Sequence, residues 1–190
     1  ESLHKNNSCE LAITLEKHWR FRVAVFSEKS ELALVIRKID LKKLSFEDLN
    51  LPAPLMKSLC EERRGLIIVT GMTGSGKSTT IASMMEHINQ TQEKHILTVE
   101  EIIEYTFDEK KSIISQRAVG KDVPNYDEAL KQCIVQSPDI IYIGTMLSKE
   151  TIYAALSAAE TGMLVISTIH ATNSVSTIER ILNFFPIDEH

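Results

Sequence analysis

Gly71-Met72-Thr73-Gly74-Ser75-Gly76-Lys77-Ser78 is the stretch that decides the fold. It fits the pattern G-x-x-x-x-G-K-[ST], and the fixed positions have separable physical reasons. Gly71, Gly74 and Gly76, with Thr73 and Ser75 between them, let the backbone curl so that its N–H groups converge on phosphate oxygens. Lys77 places a cation against the β- and γ-phosphates, and Ser78 offers a hydroxyl to Mg2+. Thr79 follows in the first turn of a helix that points its positive end at the anion. The expected ligand is ATP with Mg2+. The motif says nothing of the task performed.

The flanks supply the context that the loop needs. Leu66-Ile67-Ile68-Val69-Thr70 is a short apolar run, as expected for a strand buried on both faces. Lys77 to Asn89 reads as a helix, with Ile81, Met84, Met85 and Ile88 on one side. Downstream, Ile96–Val99, Ile140–Ile143 and Leu164–Thr168 read as strands. Tyr126–Gln136, Lys149–Glu160 (closed by Gly162) and Ser174–Asn183 read as helices. Ser112–Gln116 is a further strand, expected to form a hairpin with Tyr105–Phe107. Strands alternating with helices predict an α/β fold with a mostly parallel sheet over residues 65–190.

Upstream, residues 9–40 read as a small β-rich unit. Arg20–Phe26 and Leu32–Arg37 are its strand candidates, with Ser27–Ser30 as the turn. Residues 49–64 are a connection: Pro52 and Pro54 keep it extended, and Leu55–Glu62 forms a short helix. The expected division is thus 1–48, 49–64 and 65–190, with a boundary near residue 50.

Ligands of open parallel sheets sit beyond the carboxyl ends of the strands. Val99 is followed by Glu100, Glu101 and, further on, Glu104, which hold Mg2+ through water or position a nucleophile, or else form a solvated acidic turn. Ile143 is followed by Gly144-Thr145, and Thr168 by Ile169-His170. At such a strand end, a γ-phosphate sensor is favoured for His170 over a core histidine. Asp139 begins its strand, some ~15 Å from the active end at ~3.3 Å per residue, and reads as structural.

Bulk properties narrow the setting. The 190 residues carry a formal net charge of −5, which argues against a dedicated nucleic-acid binder. Cys9, Cys60 and Cys133 are odd in number and lack metal-ligand spacing, so inert thiols in a reducing compartment are expected. No apolar run approaches the ~20 residues that span a bilayer, and the polar start lacks a signal-peptide core. A cytoplasmic location is the expectation.

Several segments together resemble the type IV pilus retraction ATPases, the PilT/PilU family of the secretion-ATPase superfamily. They are Arg20-Phe21-Arg22-Val23, Arg64-Gly65-Leu66-Ile67, His95 to Glu100, Ser115-Gln116-Arg117, Pro138 to Ile141, Ala158 to Gly162, Thr168 to Ala171 and Asn183 to Pro186. The resemblance implies a RecA-like P-loop NTPase core preceded by a truncated PAS-like α+β domain. It implies a homo-hexamer, or a mixed ring with a paralogous ATPase, peripheral to the inner membrane and turning a pilus platform protein. Arg20, Arg22 and Arg117 become candidates for reaching phosphate charge, or else form surface ion pairs.

Two departures touch chemistry. The family's Walker B strand ends in Gly-Glu, the glutamate polarising the attacking water; here Gly144-Thr145 stands there. The acidic box, usually Glu-Asp-Pro-Ile-Glu, reads Glu100-Glu101-Ile102-Ile103-Glu104. A neutral hydroxyl is a poor general base. Slow hydrolysis is therefore expected unless Glu100 or Glu104 takes over, and a nucleotide-gated subunit rivals the motor. A secretion assembly ATPase would bring a four-cysteine zinc module, which this sequence lacks, and a small-molecule kinase would need a lid and an acceptor pocket.

Overall fold

The computed structural model describes residues 7–16, 19–42 and 44–186. The polar start, except Asn7, and the last four residues lie outside them. The chain divides into two compact units. The smaller comprises the described residues up to Lys42 together with Ile102–Thr106; the larger holds the rest.

In the smaller unit, β1 (Ser8–Leu15), β2 (Trp19–Glu28) and β3 (Glu31–Ile39) form an antiparallel meander. Lys29 and Ser30 both have positive φ, so the β2–β3 hairpin turns on two residues whose twist matches its strands. The strands outrun the expected segments because ladder pairing continues from Arg20↔Ile39 to Glu28↔Glu31. Alternation across the register places Leu11, Val23 and Ile36 on one face and Arg22 on the other. Arg20 Nε donates to the Ile103 carbonyl at 3.1 Å, and Arg22 pairs with Glu10 at 2.7 Å and with Glu104 at 3.1 Å. These bonds hold residues 102–106 in this unit.

The larger unit is a five-stranded parallel sheet, ordered β4 (Gly65–Thr70), β8 (Leu164–Ile169), β7 (Ile140–Ile143), β5 (His95–Glu100) and β6 (Ile113–Ala118). Five helices accompany it among the described residues: α1 (Ala53–Glu61), α2 (Lys77–Thr91), α3 (Tyr126–Gln136), α4 (Lys149–Glu160) and α5 (Ser174–Leu182). Neighbouring residues of each strand feed opposite faces. Ile96, Ile140 and Ile166 pack with Met84, Met85 and Ile88 of α2, whereas Leu97, Ile141 and Val165 pack with Ala129 of α3 and Ala155 of α4. The expected α/β layering is observed, with every strand pair in this sheet parallel.

Two expectations are corrected. The boundary falls near residue 42, earlier than 48 or 50, because Phe46, Met56 and Cys60 are buried in the larger unit's core. The connecting helix starts at Ala53 and belongs to that core. The hairpin between Tyr105–Phe107 and Ser112–Gln116 does not form. Instead β6 pairs parallel to β5, and Phe107 N donates to the Gln116 side chain at 3.1 Å. Asn89 pins the intervening loop through Asp108 O at 2.8 Å and Lys110 N at 3.0 Å.

Candidate functional site

Because all strands of the larger sheet run the same way, their carboxyl ends share one edge. Along it stand the glycine loop after β4, His170 after β8, Thr145 after β7 and Glu100 ending β5.

The loop owes its shape to its glycines. A Cβ on Gly71 would collide with Ser75 Oγ. Gly76 takes a left-handed φ of 98° where the chain enters α2, which a Cβ would oppose. No side chain caps this helix start. Its first-turn amides and positive end thus face an open loop in which Met72, Thr73, Gly74 and Ser75 are exposed. Ser78 and Thr79 are half-buried in that first turn.

Lys77 is buried to 9% exposure, and its Nζ donates to Gly71 O at 3.0 Å and Met72 O at 2.9 Å. The same Nζ lies 3.4 Å from His170 Nδ1. Burial holds the lysine below its ordinary pKa. His170 is also held below its ordinary value, by burial first and then by the charges of Lys77 and Arg180; a hydrogen bond with the Gly71 backbone works the other way. A neutral imidazole whose Nδ1 faces the ammonium is the arrangement these shifts favour.

The β7 end is bound tightly to its neighbours. Gly144 N donates to Val99 O at 2.8 Å. Thr168 Oγ1 lies 2.6 Å from Gly144 O and 3.2 Å from Thr145 Oγ1. Glu100 is 8% exposed, and its Oε1 accepts from Thr98 Oγ1 at 2.9 Å. Glu101, next along, is exposed.

The structure therefore brings Gly71, Lys77 and His170 into contact and lines Thr145 and Glu100 along the same edge. The remaining candidates are engaged by other partners. Glu104 belongs to the smaller unit, paired with Arg22. Arg117 donates to Gln132 on α3 at 2.9 Å. Asp139 sits at the opposite end of β7, where its Oδ2 accepts from His95 N at 2.9 Å. Cys60 and Cys133 are fully buried, and burial pushes the Cys133 thiol up to about 11. Sequence reasoning missed Thr168, whose hydroxyl matters only through the β7–β8 pairing, and Tyr126, discussed below.

The family model for "Type II/IV secretion system protein" matches residues 3–186. The chain is 40% identical over 98% of its length to the type IV pilus ATPase PilU of Pseudomonas aeruginosa, covering 48% of it. It is 44% identical over 90% of its length to the pilus retraction ATPase PilT of the same organism, covering 49%. Superposed on the crystal structure of the pilus retraction motor PilT with bound ADP, it gives a TM-score of 0.90 at 42% identity. That match covers 99% of this chain and 55% of the other. The chain thus spans about half the length of the curated relatives it matches.

Proposed function

Since this chain belongs to the type II/IV secretion system protein family, we propose that it binds ATP through Gly71–Ser78 and serves in an ATP-driven motor of the pilus retraction type. The observation that carries this reading is the glycine loop opening α2, with buried Lys77 set between loop carbonyls and His170. The relative that holds ADP in its crystal structure has the same fold. ATP phosphates would compete for Lys77 Nζ with the two carbonyls that it contacts, and His170 would meet the terminal phosphate from the β8 side.

The donor set suits magnesium in the manner usual for triphosphate sites, where phosphate oxygens and one hydroxyl supply most ligands. Ser78 would give that hydroxyl, and exposed Glu101 an outer carboxylate. Among the described residues, no group of three or more His, Cys, Asp or Glu is placed to hold a metal without nucleotide. Bound magnesium supplies charge neutralisation on the phosphates.

A second reading is favoured by Thr145. Its hydroxyl is neutral and hydrogen-bonded with Thr168, so it is ill-suited to polarise water. The protein then binds ATP well and hydrolyses it slowly, acting by shape within a ring. Glu100 is the carboxylate best placed on the same edge to take over the water. We read the smaller unit as part of a PAS-like domain. The working assembly is read as a hexamer or mixed ring that engages a membrane platform protein from the cytoplasmic side. Among the described residues, no helix is long and apolar enough to cross a membrane.

ATP binding and turnover, measured with mass by light scattering on the full-length protein, test both readings. Lys77→Ala is expected to abolish binding; unaltered affinity would end the nucleotide proposal. Thr145→Glu is expected to raise turnover by ~10²- to 10⁴-fold. Motor-rate turnover in the wild type with no response to that change would reject the slow-hydrolysis reading.

A further inference from the structure

The edge between β5 and β7 contains one largely buried group that nucleotide binding does not use, the phenol of Tyr126. Asn125 starts α3 by accepting Glu128 N on its side chain at 2.8 Å, which plants Tyr126 as the first helical residue. The ring packs against the core cluster that contains Val99 and Ile143. Its hydroxyl lies 3.5 Å from where a Cβ on Gly144 would stand, and the Glu100 Cα lies 3.3 Å from that point. The phenol also comes close enough to the backbones of Glu101 and Thr145 for both to act on its proton.

These two backbone positions belong to different strands. Glu101 follows β5 directly, and Thr145 stands two residues past the end of β7. The last backbone rung between the strands is Gly144 N to Val99 O at 2.8 Å. Beyond it the chains part: Ile102 enters the smaller unit, and Met146 N donates across to Thr168 O at 3.0 Å. The sheet can make no further rung here. The phenol oxygen stands at this gap, beside Gly144 of one chain and near the Glu100–Glu101 backbone of the other.

We propose that Tyr126 is a positioning residue that clamps the ends of β5 and β7, fixing Thr145 and the Glu100–Glu101 turn relative to the phosphate site. The proposal rests on the reading of this edge as the place where the terminal phosphate reacts. Gly144 is the matching half of the device, since a side chain there would crowd the Glu100 backbone beside the phenol. Burial, followed by the carboxylates of Glu101 and Glu100, pushes the phenol well above its ordinary pKa. It stays protonated through the working range and keeps one donor of its own.

Tyr126→Phe in the full-length protein keeps the ring and removes only the hydroxyl. The expected result is a kcat about tenfold lower with KM for ATP within about twofold. Amide exchange is expected to quicken at Glu101 and Thr145 while the rest of β5 and β7 stays protected. Unchanged exchange at those two amides would overturn the clamp. So would faster exchange with unchanged kcat, or a loss of ATP affinity as large as the loss of kcat. Should the wild type turn over no ATP, the motor reading falls, and the clamp is judged on exchange alone.

Discussion

His170 shows how far one residue's chemistry depends on what surrounds it. Burial, Lys77 and Arg180 together lower its pKa below the ordinary value near ~6.5. Between that value and the folded one, the unfolded chain binds a proton that the folded chain refuses. The stability linked to His170 is therefore fully present above the unfolded pKa and is lost as pH falls through the folded one. His170→Asn is expected to flatten this acid-side decline, checked by thermal midpoints from about pH 5 to 8. A wild-type and variant pair declining in parallel would refute it. The sequence placed His170 at a strand end, and Lys77 in the loop followed from the glycine spacing. Their contact at 3.4 Å came only from β4 and β8 being neighbours, which no local pattern states. Tyr126 went unread for the same reason: its hydroxyl matters through Gly144 and Glu101, both remote in sequence.

At the scale of elements, β7 illustrates a division of labour between its two ends. Asp139 accepts from His95 N at 2.9 Å, and its carbonyl accepts from Leu164 N at 3.0 Å, tying the starts of β5, β7 and β8. Asp139→Ala is expected to cost about 1 kcal/mol of stability. Turnover per folded molecule is expected to stay unchanged, because the edge proposed to meet the phosphates lies at the strand's other end. Denaturant melts and kcat on the folded fraction check this, and a collapse of kcat at wild-type stability would overturn it. α3 and α4 have the bounds read from their periodicity, and α4 gains a cap from Ser148 Oγ, which accepts Thr151 N at 3.2 Å. β6 pairs otherwise than its sequence suggests. An apolar strand candidate fits a hairpin or a parallel edge equally well. The choice was made by register with β5, where His95 faces Ile113, and by Asn89 pinning the loop.

At the scale of the whole molecule, the acidic box is shared between two units. Glu100 and Glu101 belong to the larger, Glu104 to the smaller, where Arg20 and Arg22 hold its segment. Residues 102–106 are therefore expected to exchange their amides with β1–β3 and not with β5, and Arg22→Ala is expected to speed that exchange. Native-state hydrogen exchange decides it; protection that tracks β5 instead would contradict the division. By itself, the sequence determined the glycine loop opening a helix, the order of strands and helices, the parallel character of the core and the family likeness. The first three follow from glycine spacing and hydrophobic period, and the likeness from motifs matched one by one; all are local properties of the chain. Only the tertiary structure decided the unit boundary near residue 42, the assignment of Glu100 and Glu104 to different units, the pairing of β6 and the environment of Tyr126. Each depends on which distant strands become neighbours and on which side chains are buried between them, and burial is a property of the packed chain as a whole.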